Sequence, residues 1–186
     1  NAITLRCFEI ISQHNTTACL ALSLLNSEGI ICACEGDMQS AFSMVLLNIL
    51  TDKKSFLTNP SRIDISKNEI ILAHCTIPLC MTSKYTIRNH FESLMGVGIQ
   101  GEMKNGPVTV FKCGGSNLDR YFVSSGQMLE NLNDENLCRT QIKLHLDGNV
   151  EYFLRNPIAN HHMVIEGDYA KLIDDFMRSM NCRKII

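Results

Sequence analysis

The chain has 186 residues, of which 45 % are apolar and 19 % charged, and a formal net charge of −2. That length suffices for one good core or two small subdomains, and the charge gives no electrostatic reason for contact with nucleic acid or an anionic membrane surface. No stretch has the uninterrupted apolar length of a membrane span and no basic-then-apolar signal opens the sequence, so a cytoplasmic protein with no membrane or nucleic-acid partner is expected.

Residues 2–7 alternate as a short strand, and residues 16–26 read as a buried helix with Thr or Asn available to cap it. Gly29 ends that helix, because glycine readily takes the left-handed conformation past a C-terminus. Residues 30–34 form a short apolar strand, and Asp37 stands in the N-cap position of a helix over residues 38–50. Ala41, Met44, Val45 and Asn48 recur there at helical spacing. This β-α-β-α alternation predicts a parallel α/β layer. Two such units cannot cover both faces of a parallel sheet, so the segment is expected to belong to a longer chain.

The character changes after residue 54. Residues 55–58, 62–65 and 69–74 read as strands separated by Asn-Pro and Ser-Lys-Asn turns. Residues 78–91 show no sustained period, and residues 96–102 are Gly-rich and extended. Residues 108–113, 121–126, 139–144 and 150–156 follow as strands or short helices. Residues 162–166 make one more strand, and residues 169–180 a closing amphipathic helix. Short, turn-rich strands at this spacing predict an antiparallel sheet or small barrel. The expected fold class is α+β: a partial α/β segment over residues 1–54, then a small antiparallel β-barrel with a closing helix over residues 55–186.

The nine cysteines include no CxxC pair. A structural zinc site normally shows two such pairs, so buried reduced thiols are expected. Residues 96–101 lack both the GxGxxG spacing and a following helix, and no nucleophile elbow is present. The informative stretch is Cys32-Ala33-Cys34-Glu35-Gly36-Asp37, which places two acids at the end of a buried strand. Carboxylates there are poorly solvated unless they face a cleft, a cation or a helix N-terminus. Asp37 is read first as a helix cap, Glu35 equally as a loop acid, and Glu9 as an exposed first-turn charge. His74 ends a predicted strand. At His161-His162 one ring points inward and the other outward if the strand begins there. Two carboxylates and two imidazoles together suit a divalent ion such as Mn²⁺, Mg²⁺, Fe²⁺ or Zn²⁺.

Residues 21–41 (Ala-Leu-Ser-Leu-Leu-Asn-Ser-Glu-Gly-Ile-Ile-Cys-Ala-Cys-Glu-Gly-Asp-Met-Gln-Ser-Ala) resemble L-fucose isomerase and the related L-arabinose isomerases. The motifs Asn59-Pro60-Ser61-Arg62-Ile63-Asp64, Ala73-His74-Cys75, Gly96-Val97-Gly98-Ile99-Gln100-Gly101-Glu102 and Asn160-His161-His162 recur in the expected order. The resemblance covers most of this chain, but only the C-terminal part of that family. It implies an aldose–ketose isomerase that works through a cis-enediol with Mn²⁺ or another divalent cation, homo-oligomeric at full length and inactive as an isolated piece. By the same resemblance Asp37 and Glu9 match the family's acidic ligands and proton carriers, and His74 matches an additional histidine ligand. His161 or His162 matches the terminal ligand, and Glu35 has no assigned role; Arg62 is expected to orient a sugar hydroxyl or the carboxylates. An isomerase-like domain that binds carbohydrate or a partner subunit without activity is the alternative. A hydrolase using the same ligands to activate water is a third reading.

Overall fold

The computed structural model describes residues 2–186. The chain runs β1 (Ala2–Thr4), α1 (Cys7–His14), α2 (Cys19–Glu28), β2 (Ile31–Ala33) and α3 (Met38–Thr51), then β3 (Phe56–Asp64), β4 (Glu69–His74) and a 3₁₀ turn (Leu79–Met81). It continues through β5 (Lys84–Arg88), β6 (Gly98–Glu102), β7 (Gly106–Gly114), β8 (Arg120–Asn131) and β9 (Thr140–Leu146). It ends with α4 (Tyr152–Arg155), β10 (His162–Glu166), α5 (Ala170–Ser179) and β11 (Arg183–Lys184).

The first part is the expected fragment of parallel sheet. β1 and β2 pair in parallel, Ala2 opposite Ile31 and Thr4 opposite Ala33. α2 ends as anticipated at Gly29, whose φ of +95° is left-handed. α1 is the departure, since it turns helical where the reading left residues after Cys7 unassigned. Its N-terminal residue Arg6 makes no side-chain cap, and Cys7 is its one buried residue, so it lacks both signals that mark a helix in sequence.

The second part is a closed barrel. Its strands follow the order β8-β7-β10-β3-β4-β9, and an additional pairing of β8 with β9 completes the ring, while β11 adds to the outer edge of β8. All six ring pairings are antiparallel. Closure removes the exposed edges that an open sheet of these strands would carry. Two expected strands, residues 55–58 and 62–65, are one strand, β3, which runs straight through Asn59-Pro60. The ladder shifts register between Pro60 and Arg62: Pro60 stays opposite Leu72, and Ser61 is the extra residue of a bulge directly beside the proline, which has no N–H to donate. Residues 150–156 resolve as the short helix α4, and the unassigned segment over residues 78–91 contributes β5, which pairs with β6 as a hairpin outside the barrel.

The barrel wall is buried on both faces, and strand alternation sorts its residues into two layers. Phe56, Leu72, Val108, Val110, Phe122, Ile142, Leu144 and Val164 fill the interior together with Tyr152 and Phe153 of α4. Their neighbours along the same strands (Leu57, Phe111, Cys113, Tyr121, Val123, Met163 and Ile165) form an outer layer covered by Ala41, Met44 and Leu47 of α3 and by Ile173 and Met177 of α5. α3 therefore belongs by chain position to the α/β segment and by packing to the barrel. That double role brings the loop between β2 and α3 to one end of the barrel, where β4 finishes at His74 and β10 begins at His162.

Candidate active site at the end of the barrel

The turn after β2 has an unusual backbone. Glu35 sits at φ +59° and Gly36 at φ +69°, two successive left-handed residues. The first is a conformation that side chains other than Asn, Asp and Gly seldom adopt. Glycine is needed second because the turn is also tight: a Cβ on Gly36 would lie 3.3 Å from Arg6 Cγ. The Gly36 N–H donates to Leu5 O at 2.8 Å, tying the turn to the end of β1. The result presents Glu35 and Asp37 together toward His74 and His161.

Asp37 caps α3 as read from sequence, accepting from the Ser40 N–H at 2.8 Å. Its other oxygen accepts from Ser40 Oγ at 2.6 Å and from His161 Nδ1 at 2.9 Å. Lys112 Nζ, on a side chain with no solvent exposure, lies 3.5 Å from that oxygen and donates to Ser40 Oγ at 2.7 Å. Burial opposes ionisation of Asp37, but the hydrogen bonds from His161 and Ser40 and the Lys112 charge outweigh it and hold the carboxyl well below its usual range. Burial likewise pulls Lys112 down, and Asp37 pulls it back only in part.

Because a carboxylate accepts only, His161 carries its proton on Nδ1 in this contact, and Nε2 is left 3.4 Å from Glu35 Oε2. That Nε2 is buried and has no hydrogen-bond partner among the described residues. His74 is arranged in the same way: Nδ1 is 2.9 Å from Thr76 Oγ1, and Nε2 is 3.7 Å from Glu35 Oε1. The two rings meet edge-on, with centroids 5.6 Å apart. One ligand atom from each of Glu35, His74 and His161 lies within 4.8 Å of the other two. His161 and then His74 hold Glu35 ionised, far below the ordinary carboxylate range. Burial lowers His161, but Asp37 and Glu35 reverse that and raise it; for His74 burial wins and the ring is pushed toward neutrality.

The structure thus brings together Asp37, His74 and His161 of the residues singled out in sequence, and adds Glu35, to which the resemblance gave no role. It does not bring in Glu9, which lies half-exposed on α1 and pairs with Arg6 at 2.7 Å. Nor does it bring in His162. That ring is turned into the barrel, where Nδ1 donates to Asn160 O at 3.2 Å and Nε2 accepts from the Tyr152 hydroxyl at 2.9 Å. Both nitrogens are used, and burial depresses its pKa to about 3. Arg62 pairs with Asp134 at 2.5 Å and lines a groove of about 500 Å³ on the β3–β4 hairpin, which contains no histidine and none of the clustered residues. Two signals for Glu35 were present in the sequence, its place at a strand end and the glycine after it. Neither reveals the double left-handed turn that aims it.

A divalent ion fits this group. Two imidazole nitrogens and a carboxylate suit a borderline cation. Each histidine has its other nitrogen anchored, by a carboxylate or a hydroxyl, in the manner that fixes a ligand's tautomer. An orphaned buried nitrogen, His161 Nε2, supplies the place for one of the bonds.

The class of protein this arrangement accompanies emerges from sequence comparison: the chain is similar to curated sugar isomerases. They are sulfoquinovose isomerases. That of Alkalicoccus urumqiensis is 23 % identical over 190 residues, covering 97 % of this chain and 43 % of the relative. That of Clostridium sp. (strain MSTE9) is 29 % identical over 113 residues, 60 % of this chain and 24 % of the relative. That of Priestia aryabhattai is 24 % identical over 123 residues, 60 % of this chain and 26 % of the relative. The chain spans less than half the length of these curated relatives. No protein-family model matches it. Among the described residues no helix is long and apolar enough to cross a membrane.

Proposed function

We propose that this chain is the C-terminal portion of a divalent-metal-dependent aldose–ketose isomerase, with the ion held by Glu35, His74 and His161. The observation that carries the reading is the pair of imidazoles whose Nδ1 atoms are anchored while both Nε2 atoms face one carboxylate. When bound, the ion supplies Lewis acidity toward neighbouring oxygens of an open-chain sugar. Asp37 is a positioning residue: it fixes His161 with the proton on Nδ1 and is itself held by Ser40 and Lys112. Glu35, its side chain 28 % exposed, is the acid of this group that reaches the open end of the barrel, so besides holding the ion it is the residue placed to carry a proton between adjacent substrate carbons. His74 and His161 keep it in the basic form. Glu9 and His162 have no part in this reading, because one is committed to Arg6 and the other to the barrel interior.

The relatives' name makes sulfoquinovose the first substrate to test, ahead of L-fucose and L-arabinose, toward which the sequence motifs pointed. The experiment is ketose formation from each sugar by the full-length protein, with and without Mn²⁺ and after chelation. The expected result is turnover that chelation abolishes and that Glu35→Gln and His161→Gln each reduce by about 100-fold or more. The 186-residue piece alone is expected to be inactive. Metal-independent turnover, or full activity in both variants, would overturn the assignment. Sugar binding without turnover would instead support a carbohydrate-binding domain.

A further inference from the structure

Behind Glu35 lies a second group of ligand-type side chains that the reading above does not use. A small cavity of about 30 Å³ is lined by five thiols, among them Cys19 and Cys75, by His90, and also by Glu35 and His74 of the group already described. A single water or ion needs only about half that space. Within it Cys19 Sγ and Cys75 Sγ are 3.1 Å apart, and a nitrogen of His90 and both sulfurs all lie within 4.8 Å of one another. All three residues are buried. They come from three separate elements: Cys19 opens α2, Cys75 follows the end of β4, and His90 stands just beyond β5.

We propose that Cys19, Cys75 and His90 form a thiolate-rich site for a borderline or soft cation, Zn²⁺ being the type ion, with a ligand set distinct from the adjoining Glu35–His74–His161 group. The donor set argues for such an ion, since thiolate and imidazole select zinc over magnesium or manganese. The sulfur separation is too long for a disulfide, whose S–S bond is about 2.05 Å. It is shorter than the roughly 3.7 Å between two thiolates on a tetrahedral zinc with Zn–S bonds of about 2.3 Å. Binding therefore asks the two side chains to part by about half an ångström, within the reach of a rotamer adjustment. Ser93 holds the other side of the imidazole: its N–H donates to His90 Nδ1 at 3.3 Å and its Oγ lies 3.1 Å from the same nitrogen, so the metal-free ring carries its proton on Nε2, and binding there moves that proton to Nδ1, toward the Ser93 hydroxyl. A water completes four-coordination.

An ion here would clamp α2, the end of β4 and the loop beyond β5 against one another. Since Cys75 adjoins His74 in the chain, the same clamp would steady His74 in the neighbouring group. The sequence reading set zinc aside because no CxxC pair exists. A site assembled from three distant single residues leaves no such spacing.

The test is titration of the metal-free full-length protein, under a phosphine reductant, with Co²⁺ as the spectroscopic probe. A Co²⁺ ion with two cysteine ligands shows intense ultraviolet thiolate-to-metal charge transfer and tetrahedral visible bands, whereas the carboxylate–imidazole group gives no thiolate band. The expected result is a thiolate band that Zn²⁺ displaces, that is lost in Cys19→Ser and in His90→Gln, and that survives in His161→Gln. Circular dichroism of each variant separates loss of the site from loss of the fold, and the wild-type titration stands on its own. No thiolate band in the wild type, a band that follows His161 rather than Cys19, or recovery of a Cys19–Cys75 disulfide from unreduced protein would each overturn the proposal.

Discussion

Lys112 is the residue whose environment most constrains the site from within the protein. A fully buried ammonium is expensive unless paired and hydrogen-bonded, and here Ser40 and Asp37 supply both needs. Lys112→Met removes the charge while keeping much of the side-chain volume, and it strips Asp37 and Ser40 of a partner. Loss of about 1–3 kcal/mol in unfolding free energy is expected, read from the denaturant midpoint. An unchanged midpoint would mean that the Asp37–Ser40–Lys112 chain contributes nothing net. At this scale the sequence was partly readable. Asp37 declared itself as a cap because a short acid before a helical run has a local reason to be there. Glu35 did not, because its direction depends on a left-handed turn tied to Leu5 across the sheet. The alternation at His161-His162 did imply opposite directions for the two rings. Which one meets the acids was decided by how the barrel closes.

At the scale of the element, α5 shows how a clear sequence pattern is anchored by contacts the pattern does not show. Its apolar stripe, Ile173 and Met177, docks on the barrel wall as the amphipathic reading requires. Its attachment is completed by Asp174, which accepts from the Tyr121 hydroxyl at 2.8 Å and pairs with Lys184 at 3.0 Å and Arg178 at 2.7 Å. Burial raises the Asp174 pKa, but these partners outweigh it and the net shift is downward. A carboxylate depressed in the folded state adds stability that is present above its unfolded value, about 3.9. That stability is lost as the pH falls from there through the folded value. Asp174→Asn is therefore expected to cost about 1 kcal/mol at neutral pH and to flatten the acid limb of the stability profile below about pH 4, measured by urea unfolding across pH. A variant with an unaltered acid limb would remove Asp174 from the account. β3 is the opposite case. Its Asn-Pro pair is ordinarily a turn signal, and only a bulge inside a closed ladder lets the strand continue through it.

On the scale of the whole molecule, the barrel is sealed by aromatic packing between Phe122 of β8 and α4. The Phe122 and Tyr152 rings stack with centroids 4.0 Å apart, and Phe153 meets Phe122 edge-on at 5.4 Å. Phe122→Ala empties the centre of this group and is expected to cost about 3–5 kcal/mol. Tyr152→Phe preserves the ring but leaves His162 Nε2 and the Ile158 N–H without their partner, for an expected loss of about 1–3 kcal/mol. Thermal unfolding of the pair should rank them in that order; equal losses would show that the hydroxyl network, not the ring, secures the barrel. Both residues lie in segments whose sequence reads only as short apolar runs. Their importance arises from the closure of β8 onto β9.

By itself the sequence determined what local physics can encode. The β-α-β-α opening, most of the later strands, the closing helix, the cap at Asp37 and the α+β class with a small barrel all follow from hydrophobic period, capping chemistry and turn residues acting within about a dozen positions. The tertiary structure alone decided the ring order of the barrel, the placement of α3 over its outer wall, and the meeting of Glu35, Asp37, His74 and His161 across as many as 126 residues of chain. It also decided that Glu9 stays outside this group, and that three solitary residues, Cys19, Cys75 and His90, share one cavity. These are long-range contacts whose energies depend on burial and on partners far away in sequence, so no spacing rule along the chain can express them.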